Sequence, residues 1–520
     1  MHACLRVDEI LRLIACELVG SEAKATAVSL ACCCKGFEDP ALDALWDTQD
    51  LFMLLKSLPG DVWEEEHRTF VSSLTAFTFC ALNRLTRKSF KRIPTKAEWA
   101  HFRKHTRRIR ELKMDTSGDA VLPDVLLALQ LRTANEHLLP RMKIFKCLEP
   151  DEGFIPFIPL FLSPNTTDVE IVFVYGTPTV MVASIISRLS TLCPDLESII
   201  LNPLPRDLVI TDAASEMLLG CNRDTLRCFL VDSPLTEEAR EVVYRLPKLA
   251  SLMSIVQGPT SLPPVALPNL TLIDLEYDDH LGWLQGFRGA VLEKLDLACF
   301  RSETKQIGDF LGAFESVALT TSAPATLSKL KVYTMQSWNP NYRSLLRFTQ
   351  LTHLVIEFSC HNVCSSTFND DIIISLAQAI PGLEILRLGK MPCPTPTGVT
   401  IKGLVALACG CLRLSKLRIH FKAASLVNAT TGVEAPSPSG DGSMVRREDC
   451  GLTVLEVGYI PIPPECTLMV SSTLLQIFPR LLNIEYHEGG WESIVESIKL
   501  SRRIGSFIQD TSKPCLLCVL

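Results

Sequence analysis

Three metal-ligating side chains meet within five residues at Cys360, His361 and Cys364, and two more thiols stand near the end at Cys515 and Cys518. A structural zinc ion is tetrahedral and takes four ligands, usually as two closely spaced pairs. Neither cluster has a second pair nearby, so both read as incidental thiols. Signatures that bind phosphate or perform hydrolysis are missing: there is no G-x-G-x-x-G, no P-loop, no H-E-x-x-H and no G-x-S-x-G. The final CLLCVL places Cys518 third from the end, where prenylation needs the fourth. The expectation is a protein without metal, cofactor, lipid anchor or catalytic centre.

The bulk of the chain supports that view. Its 520 residues are 47% hydrophobic and 21% charged, with a net charge of −7, which is ample apolar content for a large core. No apolar run reaches the roughly 18 residues that span a bilayer. The most apolar stretch, 169–186, is interrupted by Glu170 and Pro178. Asp8 and Glu9 stand where a secretion signal needs uncharged residues. The 20 cysteines then read as reduced thiols at apolar positions such as Cys32 to Cys34, Cys228, Cys299, Cys409 and Cys411. A cytoplasmic and/or nuclear protein is expected, with no membrane partner.

One motif organises the rest: L-x-x-L-x-L. It starts at Ile109, Leu196, Leu226, Leu270, Leu292, Leu327, Leu351, Leu383, Leu414, Leu452 and Leu481, with weaker copies near Phe145, Ile171 and Leu252. Several copies have a P-x-L lead-in, at Pro194, Pro247, Pro268, Pro381 and Pro479. Helical segments fall between copies, clearest over 370–380 with Asn369 as cap and Pro381 as stop, and again over 401–409. This is the leucine-rich-repeat signature, in which short strands stack because none buries its apolar side alone. The fold class is therefore α/β: a short N-terminal helical module followed by an irregular leucine-rich-repeat solenoid, or horseshoe. The Asn or Cys usual after the last leucine is not maintained (Phe300, Ser359 and Met391 stand there), so no asparagine ladder forms and irregular turns are expected. The segments read as 1–50 helical module, 51–108 helical linker or cap, 109–500 solenoid with a disordered insertion at 424–449, and 501–520 tail.

Within 5–46 three short helices are expected. One carries Ile10, Leu11, Ile14 and Leu18 on a stripe. A second, capped by Ser21, carries Ala27, Leu30, Ala31 and Cys34. A third starts at Asp39–Pro40 and carries Leu42, Leu45 and Trp46. Some forty residues make a poor core alone, so these helices need a partner. Downstream, a helix is expected over 64–74, and a second one begins with the capping-box spacing of Thr95 and Glu98 and presents Trp99, Phe102 and Ile109 on one face. Charge is sharply uneven: residues 1–83 carry net −7, residues 84–113 net +10 and the remainder net −10. The aromatics of the basic segment are not interleaved with its charges. It is better read as a solvated face, or as one meeting the acidic first 83 residues, than as a nucleic-acid site.

The stretches LRVDEILRLIACEL and AVSLACCCKGFEDPALDALWDTQ resemble the F-box, by which receptors of SCF ubiquitin ligases grip a Skp-family adaptor and through it a cullin. PTKAEWAHFRKHTRRIREL resembles the junction after the F-box in fungal F-box proteins with irregular leucine-rich repeats. The order of parts covers nearly the whole chain. The resemblance implies adaptor contacts by Leu5, Ile10, Leu11, Ile14, Leu18, Leu30, Cys34, Phe37, Leu42, Leu45 and Trp46. It departs at Val7, where the family usually has proline before the acidic pair.

In such repeats the residues alternating with the leucines point to the concave face. They include Lys294, Asp296, Lys329, Lys331, Tyr333, His353, Glu357, Arg387, Lys416, Arg418 and His420, preceded by Asp274 and Glu276 and followed by Glu456, Glu485 and His487. The basic middle is expected to receive an acidic or phosphorylated segment of an unidentified target protein, with Arg387 and Arg418 as bidentate anchors; ordinary solvating charge is the alternative. The functional expectation is a non-catalytic substrate receptor, and the alternative is a repeat scaffold without a ligase role.

Overall fold

The computed structural model describes residues 8–20, 23–71, 82–115, 119–121, 123–133, 136–256, 269–277, 291–299, 326–334, 342–358, 368–389, 398–422, 449–457, 462, 464–486 and 491–511. Leu5, Val7, Ser21, His487, the two cysteine clusters and nearly all of 424–449 lie outside them. The chain forms two compact units, Met1–Ile255 and Val256–Leu520. No described helix is long and apolar enough to cross a membrane.

The first unit opens with three helices, α1 (Asp8–Gly20), α2 (Lys24–Cys33) and α3 (Lys35–Asp47). The third begins earlier than Asp39–Pro40 suggests. The Phe37 N–H donates to Cys34 O at 3.0 Å, so Lys35 to Asp39 form the first turn and the buried Pro40 sits inside the helix, forfeiting one backbone bond. These helices meet through small residues, with Ala15, Ala41 and Ala44 buried together and Val19, Leu30 and Ala31 partly buried against them.

Strand β1 (Thr48–Asp50) carries no leucine motif, yet it pairs in parallel with β4 (Glu111–Asp115). Between them lie α4 (Leu51–Leu55), strands β2 (Trp63–Val71) and β3 (Leu82–Phe90), and helix α5 (Lys96–Thr106). Of the segment expected as a helix over 64–74, the described part, 64–71, is thus a strand. It pairs antiparallel with β3 from Trp63↔Phe90 to Val71↔Leu82, and β3 pairs with β5 (Asp119–Val121). Helix preference of the Glu64–Glu66 run is a weak prior, and a full-length pairing partner overrides it. Helix α5 forms as its capping box requires: Thr95 Oγ1 accepts from Glu98 N at 3.3 Å and Glu98 Oε2 from Thr95 N at 2.6 Å.

After helix α6 (Pro123–Arg132), strands alternate with helices: β6 (Ile144–Leu148), α7 (Ile158–Phe161), β7 (Asp168–Val172), α8 (Thr179–Leu192), β8 (Ser198–Asn202), α9 (Leu208–Gly220), β9 (Cys228–Pro234), α10 (Glu237–Val243) and β10 (Ser251–Val256). The strands from β4 to β10 pair in parallel in chain order, with β5 outside this sheet.

In the second unit β11 (Leu272–Tyr277), β12 (Lys294–Cys299), β13 (Lys329–Thr334), β14 (His353–Phe358), β15 (Ile385–Leu388), β16 (Lys416–Arg418), β17 (Val454–Val457) and β18 (Asn483–Tyr486) form another parallel series in chain order. Helices α11 (Asp370–Ala379), α12 (Ile401–Gly410), α13 (Thr467–Ile477) and α14 (Trp491–Thr511) complete it, the last running well past residue 500 into the segment expected as a tail. All eleven motif copies and the three weaker ones become strands, and the first two motif leucines or their equivalents are buried throughout. This is the leucine-rich-repeat layout, one strand per repeat over a shared apolar interior.

The side of the repeat that leads into the strand has a regularity the absent asparagines do not suggest. One carbonyl accepts two successive N–H groups from the next repeat: Ser328 O from Thr352 and His353, Thr352 O from Glu384 and Ile385, Glu384 O from Ser415 and Lys416, Ser415 O from Thr453 and Val454. Hydroxyls reinforce it, as Thr352 donates to Ser328 O (3.1 Å), Ser415 to Glu384 O (3.0 Å) and Thr453 to Ser415 O (3.2 Å). Helices α11 and α12 are locked by Asp370, whose carboxylate accepts from Thr400 N, Thr400 Oγ1 and Gly403 N. Gly403 is required there, because a Cβ would stand 2.8 Å from Asp370 Oδ1.

Candidate functional site

Two surfaces carry the residues that the sequence singles out. The first is the N-terminal helix group. With alanines filling its interior, the branched apolar residues stay outside or at the margin. Leu11 is buried, while Ile10, Leu18, Leu30, Cys34, Phe37, Leu42, Leu45 and Trp46 are half-buried and Ile14 is 38% exposed. Leu13 and Val28, absent from the sequence expectation, are 70% and 50% exposed. Cys32 and Cys33 are exposed rather than apolar filler. By contrast Cys147, Cys193, Cys221 and Cys411 are buried, and burial pushes their thiols up to about 12.

This group is fastened to the basic segment. Arg108 donates to both Asp39 and Asp43, Arg110 lies 3.5 Å from Asp47, and the Trp46 and His105 rings stack with centroids 4.1 Å apart. Arg92 bridges Asp61 and Glu98, each at 2.8 Å. The acidic start therefore does meet the basic segment, whose Trp99 and Phe102 are buried. Burial and the neighbouring His101, Arg108 and Lys104 hold the His105 imidazole down at about 4.

The second surface is the outward face of the strands. In the second unit the register aligns Asp274, Asp296, Lys331, Val355, Arg387, Arg418, Glu456 and Glu485 in one rung. Its charges are largely consumed internally. Asp296 Oδ2 meets Lys294 at 3.0 Å and Lys331 at 3.5 Å. Glu456, only 3% exposed, accepts from Arg387 at 2.7 Å and from Arg418, which also reaches Glu357 at 2.8 Å. The two anchors named from the sequence thus have carboxylates already in their forks, and the buried Val355 separates them from Lys331. Lys329 and Lys416 are exposed, Tyr333 and His353 are half-buried, and His420 is buried. Burial raises the Tyr333 phenol and lowers the His353 imidazole.

The equivalent rung of the first unit was missed. It runs Asp50, Lys113, Lys146, Glu170, Ile200, Leu230, Met253. Its last three members are apolar, half-buried, and on the side opposite the buried Ile199, Phe229 and Leu252. Two residues after Leu230 lies Asp232, whose carboxyl is held above its ordinary range by burial, against the pull of Arg206 and a hydrogen bond from the Leu204 backbone. The signal was present in the sequence: the fifth motif position is Ile200 in one copy and Leu230 in the next.

Among the described residues, no group of three or more His, Cys, Asp or Glu is placed to hold a metal ion. No protein-family model matches the chain, and no curated protein sequence does. Among solved structures the chain is similar to an internalin from Listeria monocytogenes, at 11% identity and a TM-score of 0.25, over 76% of this chain and 81% of that one. So loose a likeness carries no argument, and the repeat fold rests on the register and the buried leucines.

Proposed function

We propose that the chain is a non-catalytic substrate-recognition subunit of an SCF-type ubiquitin ligase, acting in the cytoplasm or nucleus. The N-terminal helices dock a Skp-family adaptor, and through it a cullin, while the outward strand face holds a target protein. The observation that carries this reading is the inverted packing of the helix group: alanines inside, with Leu13, Ile14 and Val28 exposed. Exposed branched apolar side chains on helices too few to cover them are what an interaction surface presents. The resemblance of the N-terminal sequence to the F-box supports a Skp-family adaptor as that partner. The joint formed by Arg108, Arg110 and Trp46 holds that surface in a set relation to the first repeat, so a bound target is presented by proximity rather than by chemistry done here.

The test is co-expression with a Skp adaptor and pull-down, comparing the native chain with a Leu13→Asp, Ile14→Asp double variant. Both positions are exposed, so the variant keeps its fold, and loss of capture is the expected result. Failure of the folded native chain to bind leaves the second reading, a repeat scaffold whose helices cap the first strand. That reading draws on the same Trp46–His105 joint, since terminal repeats need covering.

A further inference from the structure

We propose that the outward face of β7 to β10 is the docking strip for a target segment with apolar side chains and at least one arginine or lysine. The inference rests on the protein-binding role of the strand face and is independent of any adaptor. Ile200, Leu230 and Met253 are register neighbours on three successive strands, so their side chains form one apolar row although 30 and 23 positions separate them in the chain. The adjoining row, Ser198, Cys228 and Ser251, carries shorter side chains. On β7 the row continues in Glu170, while Val172 pairs with Asn202.

Charge selects the partner's sign. The acidic groups around the row are Asp168, Glu170 and Asp232; Lys146 lies 3.2 Å from Glu170 and Arg206 acts on Asp232, which leaves these groups net acidic and Asp232 still held against its charge by burial. Burial penalises the charged form of Asp232, so an arriving guanidinium or ammonium beside it relieves that penalty. A carboxylate or phosphate arriving there meets repulsion. The second unit offers no such opening at its arginines, because Glu456 and Glu357 already occupy them.

A random dodecapeptide display library selected on the full-length chain tests this. Selected binders are then measured by fluorescence anisotropy against the native chain, an Ile200→Asp, Leu230→Asp variant and a Lys331→Glu, Arg387→Glu, Arg418→Glu variant, each checked for folding by its thermal transition. The expected binders are rich in Leu, Ile, Val or Phe with Arg or Lys and poor in Asp and Glu. They lose at least about tenfold in affinity to the first variant and little to the second, and Asp232→Asn removes part of the preference for Arg over an uncharged residue. Acidic binders, or binders sensitive only to the second variant, overturn the proposal while leaving the repeat surface as a binding face. Binders indifferent to both variants, or none at all, overturn the proposal and the protein-binding reading together.

Discussion

In the second unit the outward face closes on itself: Glu456 takes both Arg387 and Arg418, and Asp296 takes both Lys294 and Lys331. In the first unit the rung at the same motif position ends in Ile200, Leu230 and Met253, next to an acid that burial holds partly against its charge. The interior ladders of both units are alike. One outward face is neutralised by its own chain and braces neighbouring repeats. The other leaves apolar area and acidity for something else. A count of charges along a repeat surface is therefore a poor guide to its partner, since a cation with a buried carboxylate in its fork has little left to offer a ligand.

The comparison is sharpened or broken by a graded set of substitutions. The largest effect belongs to the shared interior: Phe229→Ala and Leu354→Ala remove fully buried side chains, one per unit. Each is expected to destabilise its unit by about 3–5 kcal/mol by urea unfolding, and a much smaller loss in one unit would show that the interiors are not equivalent. Next is Glu456→Gln, which leaves Arg387 without its carboxylate and Arg418 with Glu357 alone. Breaking a fully buried pair costs about 3–5 kcal/mol, and the partial exposure of Arg387 and Arg418 lowers the expectation to about 2 kcal/mol. Stability unchanged in Glu456→Gln would mean that the network is not a brace.

A smaller effect concerns the joint beneath the helix group. His105 ionises near 4 in the fold, below the usual histidine value of about 6.5. Below 6.5 the unfolded chain then binds more protons than the folded one. The neutral-imidazole contribution is full above about 6.5, declines as pH falls toward about 4, and changes no further below it. The melting temperature should drop across that window in the native chain and drop less in His105→Gln. The smallest effect is the most telling for the contrast of the two faces. Because burial raises Asp232, its ionised form costs stability at neutral pH, and Asp232→Asn keeps the acceptor for the Leu204 N–H. The urea midpoint of Asp232→Asn should equal or slightly exceed the native value, opposite in direction to Glu456→Gln. A clear fall would place Asp232 in a structural role instead.

Local pattern carried a great deal of this. The motif's leucines, the Thr95–Glu98 capping box and the Asn369 cap all appear where the residues place them, because each depends on spacing within a few positions. Helix start and strand choice were less legible where a distant partner intervenes, as when β3 draws 63–71 into a strand. The hydroxyl and carbonyl ladder was legible in principle, in the Ser and Thr following the first motif leucine at Ser328, Thr352, Ser415 and Thr453, but its acceptors lie in the preceding repeat.

The amino-acid sequence by itself determined the repeat fold, the inward ladder and the three N-terminal helices, since hydrophobic period and position within a motif are properties of neighbouring residues. Tertiary structure alone decided which outward charges remain available and which apolar residues form a surface. Arg387 finds its carboxylate 69 residues away, across an intervening strand, and Ile200, Leu230 and Met253 become neighbours only through register. Motif position marks which residues share a rung, but which charges on it pair with one another is decided only when the strands pack side by side.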